Sequence, residues 1–195
     1  MSRWRCSTRP PRSDMSSRFE RIRTDTVYDG AFFDVVRATF RHEDGGEAER
    51  EIATHPGAAA AVVLDGDRLW FVRQPREAVG VPDLLELPAG KLDEEGEDPL
   101  ETAKRELAEE LGKQASSWEP LGSFFTSPGF TDEQVHLFLA TGISDLDERP
   151  KVEEDERIDA ESRPLSELDA ILAETVDSKT LIGLYRFRER HLSSQ

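Results

Sequence analysis

Glu106, Glu109 and Glu110 lie within five consecutive residues. On an α-helix that spacing puts three carboxylates along one side of a single turn. Like charges three and four residues apart weaken the helix that carries them. A helix that keeps them needs positive charge close by, and a divalent cation supplies it in the least space. Hard cations with oxygen ligands, Mg²⁺ or Mn²⁺, suit a donor set made of carboxylates. The chemistry within reach is therefore metal-ion chemistry. A solvated acidic face is the other reading of the same charge run.

The element that must position these groups can be read from its ends. Asp98 suits an N-cap, Pro99 the first helical position, and Glu101 can close a capping box. Gly112 suits the C-terminal stop. A helix over 98–111 follows. At about 100° per residue, Leu100, Ala103, Leu107 and Leu111 form one apolar stripe. Glu106 and Glu110 stand on the shoulder of that stripe, and Glu109 lies further round. Arg105 is on another side, within reach of Glu101 or Glu109. Two carboxylates are thus aimed at the edge of the core, where an ionised and unpaired group is costly.

The run from Gly90 through Glu97, Arg105-Glu106-Leu107, Glu109-Glu110 and Gly112 resembles the signature of the Nudix hydrolases. Two positions depart from it. Six residues, rather than five, separate Gly90 from Glu97, an insertion that falls in a loop and leaves the ligand spacing intact. Lys113 stands where the signature has an aliphatic residue. Leu85-Glu86-Leu87-Pro88-Ala89-Gly90, Ser127-Pro128-Gly129-Phe130-Thr131-Asp132-Glu133 and Asp177–Gly183 are similar to the ADP-ribose pyrophosphatase branch. Pro128, 16 residues beyond Gly112, falls close to that branch's marker proline. Val27–Val36 and Arg50-Glu51-Ile52 resemble its N-terminal β segment, so the likeness spans residues 19–190.

The resemblance implies a metal-dependent hydrolase that splits ADP-ribose into AMP and ribose 5-phosphate. It implies metal ligation by Glu106, Glu109, Glu110 and the Ala89 carbonyl, with Arg105 orienting the carboxylates. Glu97 serves either this site or only the helix start. The general base is expected from the acidic loop 151–157, as Glu153, Glu154 or Glu156, with Glu109 or Glu97 as the next place to look. Substrate contacts are expected from Arg76 on phosphate, from Arg50 and Glu51 hydrogen-bonding adenine, and from Phe33 or Tyr28 stacking on it. Gly90 and the Pro128-Gly129-Phe130 wall complete the set. In this branch the adenine contacts come from the partner subunit of a homodimer. A Nudix hydrolase of another sugar nucleotide, such as GDP-mannose, would use the same residues. A noncatalytic ADP-ribose sensor is disfavoured, because every signature carboxylate is present.

A length of 195 residues fits one domain with a small appendage. A net charge of −16 argues against nonspecific binding to nucleic acid or an anionic membrane. The single cysteine, Cys6, excludes internal disulfides and suits a reducing cytoplasm. No apolar run is long enough to span a bilayer. Residues 1–18 mix Arg with Ser and Pro and read as a disordered tail, with Met15 as a second candidate start. Residues 19–54 read as the N-terminal β segment, with strands over 26–54 turning at Glu43–Gly46 and the dimer contact supplied by Phe32, Phe33, Val35 and Val36. Residues 55–195 read as the hydrolase domain. Its strands are expected over 58–64, 69–74, 118–126 and 134–141, Leu84–Leu87 leads into the signature loop, and amphipathic helices follow over 165–174 and 178–191. The pattern is α+β; the resemblance implies an α/β/α sandwich, a mixed sheet flanked by helices.

Overall fold

The computed structural model describes residues 18–31, 33–92, 96–150 and 157–192. The chain divides into two compact units, with the boundary between Ile52 and Ala53.

The first unit is a three-stranded sheet in the order β1 (Phe19–Tyr28), β2 (Asp34–His42), β3 (Glu47–Thr54). Gly45, with φ +81°, closes the β2–β3 turn expected at Glu43–Gly46. Val36 and Ala38 are buried in this sheet, and Phe19 meets Phe40 edge to face at 5.5 Å. The first strand begins at Phe19, not at residue 26, because pairing with β2 runs back to the Phe19–His42 position. Its polar sequence gives no apolar alternation to announce it. Phe32 lies outside the described residues, as do residues 1–17.

The second unit is a mixed sheet in the order β10-β5-β4-β9-β8. Its strands are β4 (Ala58–Asp65), β5 (Arg68–Arg76), β8 (Lys113–Phe125), β9 (Gln134–Asp145) and β10 (Asp159–Pro164). Strands β4 and β9 run parallel, whereas β4–β5 and β8–β9 are antiparallel. After its tight turn the β4–β5 hairpin opens. β6 (Val81–Glu86) then pairs with the half of β5 away from the turn, and β7 (Ala89–Lys91) with the half of β4 away from it. This wedge delivers the chain to the signature loop.

Strand alternation distributes the core over two faces. Ala61 and Val63 of β4 pack with Leu107 and Leu111 of α1 (Pro99–Leu111). Ala60 and Val62 face the other way, toward Ile171 of α2 (Leu168–Glu174) and Leu184 and Phe187 of α3 (Ser178–His191). The result is the expected α/β/α sandwich. Gly183 lets α3 approach closely, since a Cβ there would fall 2.6 Å from Leu87. No helix among the described residues is long and apolar enough to cross a membrane.

Candidate active site

The helix bearing the acidic run starts as its sequence requires. Asp98 accepts a hydrogen bond from the Leu100 N–H at 2.8 Å, and Pro99 occupies the first position. Glu101, expected to close a capping box, pairs with Lys104 at 2.7 Å instead. Gly112 ends the helix at φ +65°. Arg149 donates to the carbonyls of Glu109 at 2.8 Å and Glu110 at 2.6 Å, so a cation caps the negative end of α1. The unusual Lys113 is buried, with its ammonium 4.1 Å above the Trp70 ring and 2.6 Å from Asp145. Its methylenes occupy the aliphatic position while its charged head finds a ring and a carboxylate.

Burial along α1 follows the helical wheel. Ala103, Leu107 and Leu111 are buried, Glu110 is only 3% exposed, and Glu109 is half-buried. The Glu110 carboxylate accepts from the Ala89 N–H at 3.0 Å. Glu106 lies against Gly90: a Cβ there would sit 1.8 Å from its Oε1. Four of the residues singled out in the sequence, Ala89, Gly90, Glu106 and Glu110, therefore meet where β7 passes α1.

Arg105 organises the rest. Its Nη1 donates to Glu106 at 2.7 Å and to Glu109 at 3.3 Å. Its Nη2 reaches Glu97 and the Lys91 carbonyl, each at 3.4 Å. The buried Thr102 hydroxyl donates to the same Glu97 oxygen at 2.8 Å. Burial pulls the Arg105 pKa down, but Glu106, Glu97 and Glu109 outweigh it and raise the pKa above the ordinary value. The guanidinium is a fixed cation holding three carboxylates. Glu97, which sequence reasoning left between two roles, is part of this cluster.

Among the described residues no three acidic or histidine side chains already form a cage that could hold a metal ion. The donor chemistry nonetheless suits a hard divalent cation. Glu106, Glu109, Glu110 and the Ala89 carbonyl supply only oxygen acceptors, and the glycine cradle keeps the space beside Glu106 clear of a side chain.

Arg76, expected at a phosphate, forms a bidentate pair with buried Glu86, Nε–Oε1 at 2.6 Å and Nη2–Oε2 at 2.9 Å. Lys179 of α3 donates to the same carboxylate. Glu86 and Lys179 lie in two of the segments that resemble the ADP-ribose pyrophosphatase branch, but neither was expected as a site residue, since only the fold brings them together. Pro128-Gly129-Phe130 form a turn closed by Phe130 N–H on the Ser127 carbonyl at 3.0 Å, with Phe130 61% exposed. His55 lies 3.7 Å from Glu133; burial lowers its pKa, and its Nδ1 accepts from the Gly57 N–H at 3.1 Å. In the N-terminal unit Tyr28 and Phe33 are exposed with ring centroids 6.2 Å apart, Glu51 pairs with Arg37 at 3.1 Å, and Arg50 donates to the Glu49 carbonyl at 2.7 Å. Glu153, Glu154 and Glu156 lie outside the described residues.

Several known proteins resemble this chain in sequence and fold. The ADP-ribose pyrophosphatase of Mycobacterium tuberculosis is 44% identical over 139 residues, covering 71% of this chain and 66% of that protein. The ADP-ribose pyrophosphatase of Bacillus subtilis is 37% identical over 166 residues, 84% of this chain and 89% of that protein. The fold matches a crystal structure described as an ADP compounds hydrolase with a TM-score of 0.76 at 20% identity, covering 91% of this chain and 96% of that one. The NUDIX domain model matches residues 54–182, the stretch that contains the wedge, the glycine cradle and the carboxylate helix, and the chain therefore belongs to the NUDIX domain family.

Proposed function

We propose that this protein hydrolyses the pyrophosphate bond of ADP-ribose to AMP and ribose 5-phosphate, using Mg²⁺ or Mn²⁺. The observation that carries the reading is the meeting of Glu106 and Glu110 with Ala89-Gly90, beside the Arg105 cluster. The two relatives named ADP-ribose pyrophosphatase supply the substrate. Glu106, Glu110, Glu109 and the Ala89 carbonyl would hold the cation. When bound, it neutralises phosphate oxygens and lowers the pKa of a coordinated water. Arg105 keeps the carboxylates in place by charged hydrogen bonds, and Arg76 presents a guanidinium to phosphate. Nucleotide recognition by Tyr28, Phe33, Arg50 and Glu51, and of the terminal ribose by Pro128-Gly129-Phe130, belongs to the same proposal. The direct test is AMP release from ADP-ribose with and without Mg²⁺, beside GDP-mannose. Faster turnover of GDP-mannose would move the substrate to another sugar nucleotide, and no metal-dependent turnover of either would remove the reading.

The proton from the attacking water goes to a carboxylate of the acidic loop. Changing Glu153, Glu154 and Glu156 singly to Gln is expected to give one variant with a large kcat defect at nearly constant KM and two nearly silent ones. Three silent variants would return the base to Glu109 or Glu97.

The protein is further proposed to act in the cytoplasm as a homodimer formed through residues 26–54. Of the residues expected to make the contact, Val36 is buried within its own sheet and Phe33 is exposed; with Val27 and Tyr28, also exposed, Phe33 supports the reading. Light scattering is expected to give twice the 22.0 kDa chain mass. A fully active monomer would refute it.

A further inference from the structure

Glu86 closes β6 with its carboxylate only 1% exposed, while the Arg76 side chain paired with it is 44% exposed. The cluster buries its anion and displays its cation. The β5–β6 ladder shifts register between Gln74 and Arg76, just before the paired arginine. The guanidinium spends its Nε–Nη2 edge on that pair, so its plane is fixed and its Nη1 edge is outside the pair.

Lys179 stands in the first turn of α3, where the helix dipole opposes a cation. It is held there by Glu86 and by Asp177 at 3.1 Å, the residue that also caps α3 through the Thr180 N–H at 2.9 Å. Burial pushes the Glu86 pKa up, but the two cations outweigh it and keep the acid ionised. The Ala89 N–H, three residues beyond Glu86, donates to Glu110 of α1 at 3.0 Å, so the cluster adjoins the candidate site. A buried ion cluster is weak evidence for stability, since apolar replacements are often as stable. Its arrangement fits presentation of charge.

We propose that Glu86 and Lys179 are positioning residues for Arg76, holding its guanidinium as a rigid anchor for a diphosphate beside the α1 carboxylates. The idea rests on the hydrolase reading for its substrate, but not for its test. That test is a double-mutant cycle of Lys179→Met and Arg76→Ala. It reads KM for ADP-ribose and, by calorimetry in Mg²⁺, the affinity for inorganic pyrophosphate. Lys179→Met is expected to weaken both about three- to tenfold in the wild-type background and less than about twofold in Arg76→Ala, because it acts through Arg76. Lys179→Arg is expected to restore them. Equal factors in both backgrounds would overturn the proposal. So would a fall in melting temperature with KM and pyrophosphate affinity unmoved, or a wild-type protein that does not bind pyrophosphate. If Lys179→Met does not fold, Glu86→Gln, which keeps the volume and an acceptor for Arg76, takes its place in the cycle with the same expectations. A wild-type protein that binds pyrophosphate but releases no AMP would fail as an ADP-ribose hydrolase while leaving the cycle able to judge this role.

Discussion

Glu106→Gln and Glu110→Gln are each expected to lower kcat by at least about 100-fold at saturating Mg²⁺. The substitution keeps volume and an acceptor oxygen. In Glu110→Gln the side-chain amide oxygen can still accept from the Ala89 N–H, the contact that Glu110 makes at 3.0 Å. What is lost is the charge that, on the proposed reading, holds a divalent cation. The fold should therefore survive, and circular dichroism with a melting curve close to wild type would show it. Near wild-type turnover in either variant would sink the metal assignment for that residue.

Gly90→Ala is expected to do comparable damage without replacing an ionisable group. The new methyl would have to occupy a point 1.8 Å from Glu106 Oε1 and 2.1 Å from its carboxyl carbon. Both are far inside contact distance, so Glu106 must swing away and leave its 2.7 Å bond with Arg105. A fall in kcat of about 100-fold is expected, and Gly90→Ala added to Glu106→Gln should cost little more, because effects on one functional unit do not add. Additive losses would mean that the glycine serves something other than Glu106.

Much of the unit around the acidic helix was legible in advance because its signals are local. Asp98, Pro99 and Gly112 mark the ends of α1, and the order of burial of Glu110, Glu106 and Glu109 follows from the wheel. Helix α3 runs from Ser178 to His191, as its amphipathic pattern implies. Strand β10 was not legible. Its residues, Asp159–Pro164, are polar, and it exists because its backbone pairs with β5 and because Glu161 meets Arg73. Strand β8 starts at Lys113, ahead of the apolar stretch that suggested residue 118, because its ladder with β9 extends to the Lys113–Asp145 pair. The Glu86–Lys179 contact joins residues 93 apart in the chain, and no spacing rule reaches that far. Arg149, which caps α1 from beyond β9, was hidden for the same reason.

The last helix also sets an order of events during synthesis. The Leu87 N–H, two residues before Ala89, donates to the buried Thr180 hydroxyl at 2.8 Å, and Lys179 holds the neighbouring Glu86. In a chain made from its N-terminus, the acidic helix and most of the sheet leave the ribosome before those partners do. Until then the strand leading into the glycine cradle has no tether on that side. A nascent or prematurely ended chain that stops ahead of Asp177 thus carries every signature residue and lacks the clasp that sets two of its neighbours. Emergence of residues 177–180 is in this sense a late step in assembling the site.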